Sequence, residues 1–177
     1  IRDIPTTNVV AGNKKANLRQ IVQQRLKAAG TPCQCIRCRE IRREAVRLDE
    51  LSLRADVYRT DSTTEHFLSF ERADGRIAAF LRLSLPDQGT QLPLPELADH
   101  GRIREVHVYG AALSLGESSN GQAQHSGLGS QLIAEARSRA QQAGYSFLSV
   151  ISAIGTQAYY ARHGFAESGL YMTAPLT

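Results

Sequence analysis

Several short stretches hold residue types from which chemistry could be built. Residues 124–129 read QHSGLG and open a helix-patterned run. The first N–H groups of a helix have no partner inside it, and the helix dipole adds positive charge at that end, so a glycine turn feeding a helix is an anion site. Gly127 and Gly129 lack the Cβ that would hold a phosphate off the backbone. Gln124 can brace the turn through its amide, and His125, Ser126, Leu128 and Ser130 complete the candidate contacts. The plain alternative is a tight turn with no ligand. About thirty residues on, Tyr159 and Tyr160 precede the run RHGF. A phenol can donate a hydrogen bond or a proton to a leaving sulfur. Tyr160 is the candidate donor and Tyr159 a candidate lining residue; packing under a sheet is the alternative for both.

Glu105 and His107 lie two apart in a strand-patterned run and share a face, where either could act as a base or position water. A solvated strand face reads the same way. Cys33, Cys35 and Cys38 form C-x-C-x-x-C. Three thiolates this close suit a soft metal, and zinc fits better than an iron–sulfur cluster, for which the spacing is unusual. A fourth zinc ligand would come from His66, His100, His107, His125 or His163; unmetallated thiols are the alternative. The chain has no other cysteine, and an odd count is a poor disulfide framework, so a reducing, cytoplasmic setting is expected.

The elements that must position these residues follow from periodicity. Asn13 is placed to cap a helix reaching Ala29, with Leu18, Ile21, Val22, Leu26 and Ala29 on one face, and Gly30 and Pro32 stop it. Period-two patterning then predicts strands over 51–60, 65–72 and 77–85, with a hairpin turn at 73–76. Residues 86–98 read as loop. In 102–109, Ile103, Glu105, His107 and Tyr109 are expected on one side and Arg104, Val106 and Val108 on the other. A glycine- and serine-rich loop leads to the QHSGLG turn, then a helix to about Ala143, a buried strand at 145–152, a short helix at 156–162 and a last strand at 165–174. The result is a mixed α/β sandwich around one sheet.

The chain has 177 residues, 42% of them apolar, enough for one core with an extension. No apolar run approaches the ~20 residues of a membrane span. The charge is uneven. Residues 1–47 hold eleven Lys/Arg and three Asp/Glu, and residues 48–177 hold ten and fourteen. A basic front on a mildly acidic body points to a polyanionic partner. Arginines outnumber lysines eighteen to three, and the arginine fork suits phosphate. The expected division is a basic helical extension at 1–47 and a folded domain at 48–177. The opening IRDIP, without Met, suggests a piece of a longer protein.

The spacing Gln-x-x-Gly-x-Gly resembles the acetyl-CoA signature of the GNAT superfamily, and Tyr160 stands four residues before Gly164-Phe165, as a tyrosine commonly does there. More closely, RDIP, AGNKKANLRQ, REVHVYG at 104–110, QHSGLG, IGTQAYYARHGF at 154–165 and YM at 171–172 together resemble the C-terminal acetyltransferase-like domain of the Elongator catalytic subunit. That resemblance implies a GNAT fold, with a mostly antiparallel mixed sheet flanked by helices. It implies acetyl-CoA held at the glycine turn, with pantetheine against the backbone of Val106, His107 and Val108. Members of that family place a carboxymethyl-type group on the wobble uridine of tRNA, and some have been described as histone acetyltransferases. The acetyltransferase-like domain releases the acetyl unit when tRNA is engaged. A radical-SAM domain, absent from this chain, carries S-adenosylmethionine and an iron–sulfur cluster. Lys14, Lys15, Arg19, Arg25, Arg39, Arg42 and Arg43 would then meet tRNA phosphates. The cysteine cluster, a feature of only some members, is expected to be structural. Two rival readings remain: a GNAT enzyme acetylating a protein lysine or small amine, and a tRNA-binding module with a vestigial CoA site.

Overall fold

Alternating apolar residues make residues 51–86 three neighbouring strands that pair with one another. A computed structural model describes residues 6–8, 10–12, 17–42, 44, 46–89, 94–109 and 127–176. Its contacts divide the chain into two compact units, 1–39 and 40–177, which are taken separately.

In the first unit, helix α1 (Leu18–Ala28) ends as expected. Gly30, at φ +67°, donates its N–H to the Lys27 carbonyl, and Thr31 donates to Leu26. The start differs from expectation, because Asn17 precedes the first turn in a left-handed conformation, and Asn13 lies outside the described residues. The apolar stripe of α1 is not buried: Leu18 and Val22 are nearly half exposed. A short helix α2 (Ile36–Arg39) follows the first two cysteines.

In the second unit, β1 (Leu51–Arg59), β2 (Thr63–Arg72) and β3 (Ile77–Pro86) form an antiparallel meander. β4 (His100–Val108) pairs antiparallel with β3. Helix α3 (Leu128–Gln142) crosses the sheet and returns the chain to β5 (Phe147–Val150), which lies parallel to β4. Helix α4 (Gln157–Ala161) leads to β6 (Ala166–Ser168) and β7 (Tyr171–Pro175). The sheet has seven strands in the order β1-β2-β3-β4-β5-β7-β6. The single strand expected over 165–174 is instead a hairpin. Gly169, at φ +61°, permits a two-residue turn, and Ser168 pairs with Tyr171.

α3 buries Leu128, Leu132, Ile133, Ala136 and Ala140 against Leu68, Leu81, Leu83, Leu85, Ile103 and Leu148. Ile41 and Val46 join this core, so the segment after Arg39 packs with the sheet. At the sheet's edge β1 is different. α3 contacts β2 to β5, and Leu53 and Val57 of β1 remain 42% and 52% exposed.

One close approach fixes how α3 lies on the strands. A Cβ on Gly101 of β4 would come within 3.0 Å of Leu85, 3.1 Å of the Ala140 methyl and 3.3 Å of Leu148. Gly101→Val should therefore lower stability by about 1–3 kcal/mol through overpacking, read as a shift in the urea midpoint. An unshifted midpoint would refute this packing.

Candidate functional site

The site is organised by the parting of β4 and β5. They pair over four residues, from His100↔Phe147 to Ile103↔Val150, and no further β4–β5 pair forms among the described residues. β4 continues to Val108, with Glu105 to Val108 paired to β3. β5 ends at Val150 and gives way to Ile151 and a 3-10 turn at Ile154–Thr156. Ile151 and Ile154 are 71% and 88% exposed, so the mouth of the V carries uncovered apolar surface.

A β-bulge sets the side-chain phase here. Glu105 pairs with Arg82 and Ile103 with Leu83, which leaves Arg104 as the extra residue. Ile103, Val106 and Val108 therefore share the α3 face, and Glu105 and His107 take the other. This corrects the expected placement of Ile103 beside Glu105. Glu105 and His107 are both exposed on that outer face. The Glu105 carboxylate is 4.0 Å from Arg82, and the His107 ring stacks at 5.8 Å on Phe80 and meets Tyr109 at 4.5 Å.

The glycine turn lies at the N-terminus of α3. Gly127 takes φ +74°, with open space where a Cβ would stand, and its carbonyl accepts from Gln131. Gln124, His125 and Ser126 lie outside the described residues. Gly129 is tighter: a Cβ there would fall 2.5 Å from the Tyr159 hydroxyl and 3.4 Å from Val108. The absence of that carbon lets α4 bring a phenol onto the first turn of α3.

Adjacent positions on a helix diverge, and the two tyrosines do so. Tyr159 points its hydroxyl to Gly129, on the first turn of α3. His163, one turn on, shares a 3.3 Å hydrogen bond with Ser130 and meets the Tyr159 ring edge-on at 4.9 Å. Arg162 lies 5.9 Å over the same ring. Tyr160 is buried in the core cluster, edge-on to Phe165. Burial pushes the Tyr159 phenol above its usual value against the opposing influence of Ser130 and Arg162, and burial with the neighbouring Tyr159 does the same to Tyr160. Both are neutral donors at physiological pH. Burial lowers His163, with Arg162 and Arg137 adding to the effect, so it is a neutral imidazole there. Arg162 and His163 were not placed beside the glycine turn by sequence reasoning. The spacing of 159 and 163 on one helical turn is the signal that points to the histidine.

In the first unit the three cysteine sulfurs lie within 4.8 Å of one another. Among the described residues no histidine or carboxylate joins them. A tetrahedral zinc with ~2.3 Å bonds needs sulfurs about 3.8 Å apart, so the cluster fits with small adjustment. Arg19 donates to the Cys38 sulfur at 3.3 Å and to Cys35 at 3.9 Å, and Gln23 donates to Cys38 at 3.5 Å. Hydrogen bonds from the Cys33 thiol, the Cys38 backbone and Arg19 draw the Cys35 thiol down to about 7.

The basic residues expected to meet phosphate are found in different settings. Arg19 is turned onto the thiols, Arg25 is exposed, Arg39 is partly buried, and Arg42 stands 3.6 Å from Glu40. Lys14, Lys15 and Arg43 lie outside the described residues. No described helix is long and apolar enough to cross a membrane.

Comparison with known proteins gives one consistent result. Residues 36–165 match the Acetyltransferase (GNAT) family. The chain is 39% identical to the tRNA uridine(34) acetyltransferase of Dehalococcoides mccartyi, over 97% of this chain and 38% of that protein. It is 32% identical to Elongator complex protein 3 of Saccharomyces cerevisiae, over 97% and 32% respectively. The solved structure of the archaeal Methanocaldococcus infernus Elp3 with an N-terminal deletion superposes with a TM-score of 0.76 at 32% identity, covering 98% of this chain and 42% of that one. The chain thus spans between a third and two fifths of the length of these relatives.

The tyrosine pair yields a pH test. A folded state that raises a phenol favours its neutral form. Its stabilising contribution is complete below the usual 10.0 and is lost as pH rises through the raised folded values. Tyrosinate absorbance should show four phenols, those of Tyr109, Tyr145, Tyr159 and Tyr160, titrating above the usual value, and Tyr160→Phe and Tyr159→Phe should each remove one. If neither substitution removes a late-titrating phenol, the buried placement is wrong.

Proposed function

The chain belongs to the GNAT acetyltransferase family, and from that premise we propose that it is the acetyl-CoA-handling part of a longer, Elongator-type tRNA uridine(34)-modifying enzyme. The observation that carries the acetyl-CoA reading is the V between β4 and β5, opening beside the glycine start of α3. A pyrophosphate suits the α3 N-terminus through backbone N–H groups and dipole, with Gly127 holding the approach open. The amides of pantetheine suit the β4 backbone around Val106 and His107, where β5 has left. The thioester would then lie near the apex, within reach of α4.

Release of the acetyl unit is an acyl transfer. A nucleophile's oxygen adds to the acetyl carbon, the C–S bond breaks, and the departing thiolate takes a proton. When water is the nucleophile, the products are acetate and CoA-SH. A neutral tyrosine is suited to supply that proton, because burial keeps it protonated. Tyr160 is the proposed donor. Tyr159, against Gly129, is proposed to line the channel and steady the phosphate turn with Ser130. Glu105 and His107, on the outer face, are placed to orient the attacking group.

The polyanion reading rests on the basic front and on what the relatives are named for. The cysteine cluster is proposed to hold one structural zinc through Cys33, Cys35 and Cys38. Arg19 would offset the charge of the thiolates, a supporting role that takes it away from phosphate. The other basic residues of the extension remain the proposed tRNA contacts. Installing the group on uridine is work for the longer protein, with the radical-SAM chemistry outside this chain. A cytoplasmic setting is proposed with it.

Acetyl-CoA turnover should be slow without tRNA and stimulated at least tenfold by it in the full-length protein. Gly127→Glu should remove acetyl-CoA binding, and Gly127→Asn, neutral and tolerant of positive φ, should keep most of it. Equal turnover with and without tRNA would favour a simple amine acetyltransferase, and undiminished binding by the Glu variant would remove the turn assignment. Metal analysis should find about one zinc per chain, absent from Cys35→Ser; a metal-free protein would reject the zinc site.

A further inference from the structure

The apex of the V holds a cleft whose chemistry the acetyl-CoA reading leaves unused. Its volume is about 290 Å³, and Arg102, Ile103, Arg104, Ser149, Ile151 and Tyr171 line it. Two arginines therefore line one small cleft, and no carboxylate lines it among the described residues. Four other arginines of these strands and turns face acids. Arg59 pairs with Asp87, Arg72 with Asp74, Arg76 with Glu44 and Arg82 with Glu105. Among the described residues neither Arg102 nor Arg104 has such a partner, and the buried Nε of Arg102 finds no acceptor. The Ser149 hydroxyl is already committed to His100 and Thr173.

An unmatched donor inside a protein and two cations side by side both work against folding. One anion spanning both forks would remove both penalties. The bulge creates the arrangement: the extra residue at Arg104 puts a second arginine at the point where β5 turns away. The cleft is thus built at the end of the channel, next to where the acyl group would emerge.

We propose that this cleft receives a phosphodiester of the acceptor polynucleotide and so fixes how far the target nucleotide sits from the acetyl group. The proposal rests on the tRNA reading above and sharpens it. A phosphodiester has two non-bridging oxygens that two planar forks can grip together, whereas an amine acceptor would be repelled here. The phosphates of CoA compete as a source of the same chemistry, but they are assigned to the start of α3.

The test uses the full-length protein with Arg102→Met, Arg104→Gln and the double variant. The KM for tRNA in tRNA-stimulated acetyl-CoA turnover should rise about tenfold in the double variant. The slope of log affinity for tRNA against log salt should fall by roughly 0.7–0.9, the value for one fewer neutralised phosphate. Acetyl-CoA affinity should stay at the wild-type value. Because Arg102→Met removes an orphaned donor, its thermal midpoint should hold or rise while tRNA affinity falls. A lowered midpoint with unchanged tRNA affinity would make Arg102 a structural residue and overturn the proposal. So would a parallel fall in acetyl-CoA affinity, which would give the cleft to CoA. If wild-type turnover ignores tRNA, the tRNA reading fails and this one with it; if wild type responds and the double variant matches it, the apex assignment alone fails.

Discussion

Two strands in a parallel pair satisfy each other's backbone groups, and β4 and β5 do so for only four residues before they part. The proposed acetyl-CoA site of the second unit is arranged around that separation. The paired end is held shut by dense packing, where Gly101 lies beneath Ala140 between Leu85 and Leu148 with no room for a further carbon. The open end faces a helix start on one side and exposed Ile151 and Ile154 on the other. Strand backbone left without a neighbour needs other partners. A chain of amides such as the proposed pantetheine would supply them in the geometry that β5 leaves open.

The second arrangement depends on the first. Since β5 is short, α4 follows soon after the apex and lies beside the first turn of α3. Adjacent tyrosines on one short helix then serve two surroundings. Tyr160 anchors α4 in the core with Phe165, and Tyr159 reaches the glycine turn with Ser130, His163 and Arg162 around it. Fixing the helix in the core and closing it onto the start of α3 are therefore achieved by the same five residues.

Much of this was legible in the chain itself. The period-two runs located β1 to β4 to within about two residues, and α3, its Gly127 start and the tyrosine pair of α4 stood where helix signals placed them. What escaped is instructive. A strict alternation put Ile103 with Glu105, but a bulge shifts phase by one, and the only trace is the odd spacing from Ile103 to Val106. The final hairpin reads as one strand only when its turn signal, Ser168-Gly169, is passed over as strand interior. The apolar stripe of α1 pointed to a buried face that its own unit does not provide. Distances such as those from Arg19 to the thiols join residues sixteen and nineteen apart, with no local pattern to announce them.

The bulge at Arg104 also bears on which kinds of change this region can absorb over generations. Exchanging one side chain for another in β4 alters a single neighbour and leaves the strand's phase intact. Deleting or inserting one residue between Arg102 and Val106 would reverse which face every later side chain occupies, turning Val106 and Val108 outward and His107 inward together. Residue count, more than residue type, is the inherited quantity in this stretch, and length there should drift far less than composition.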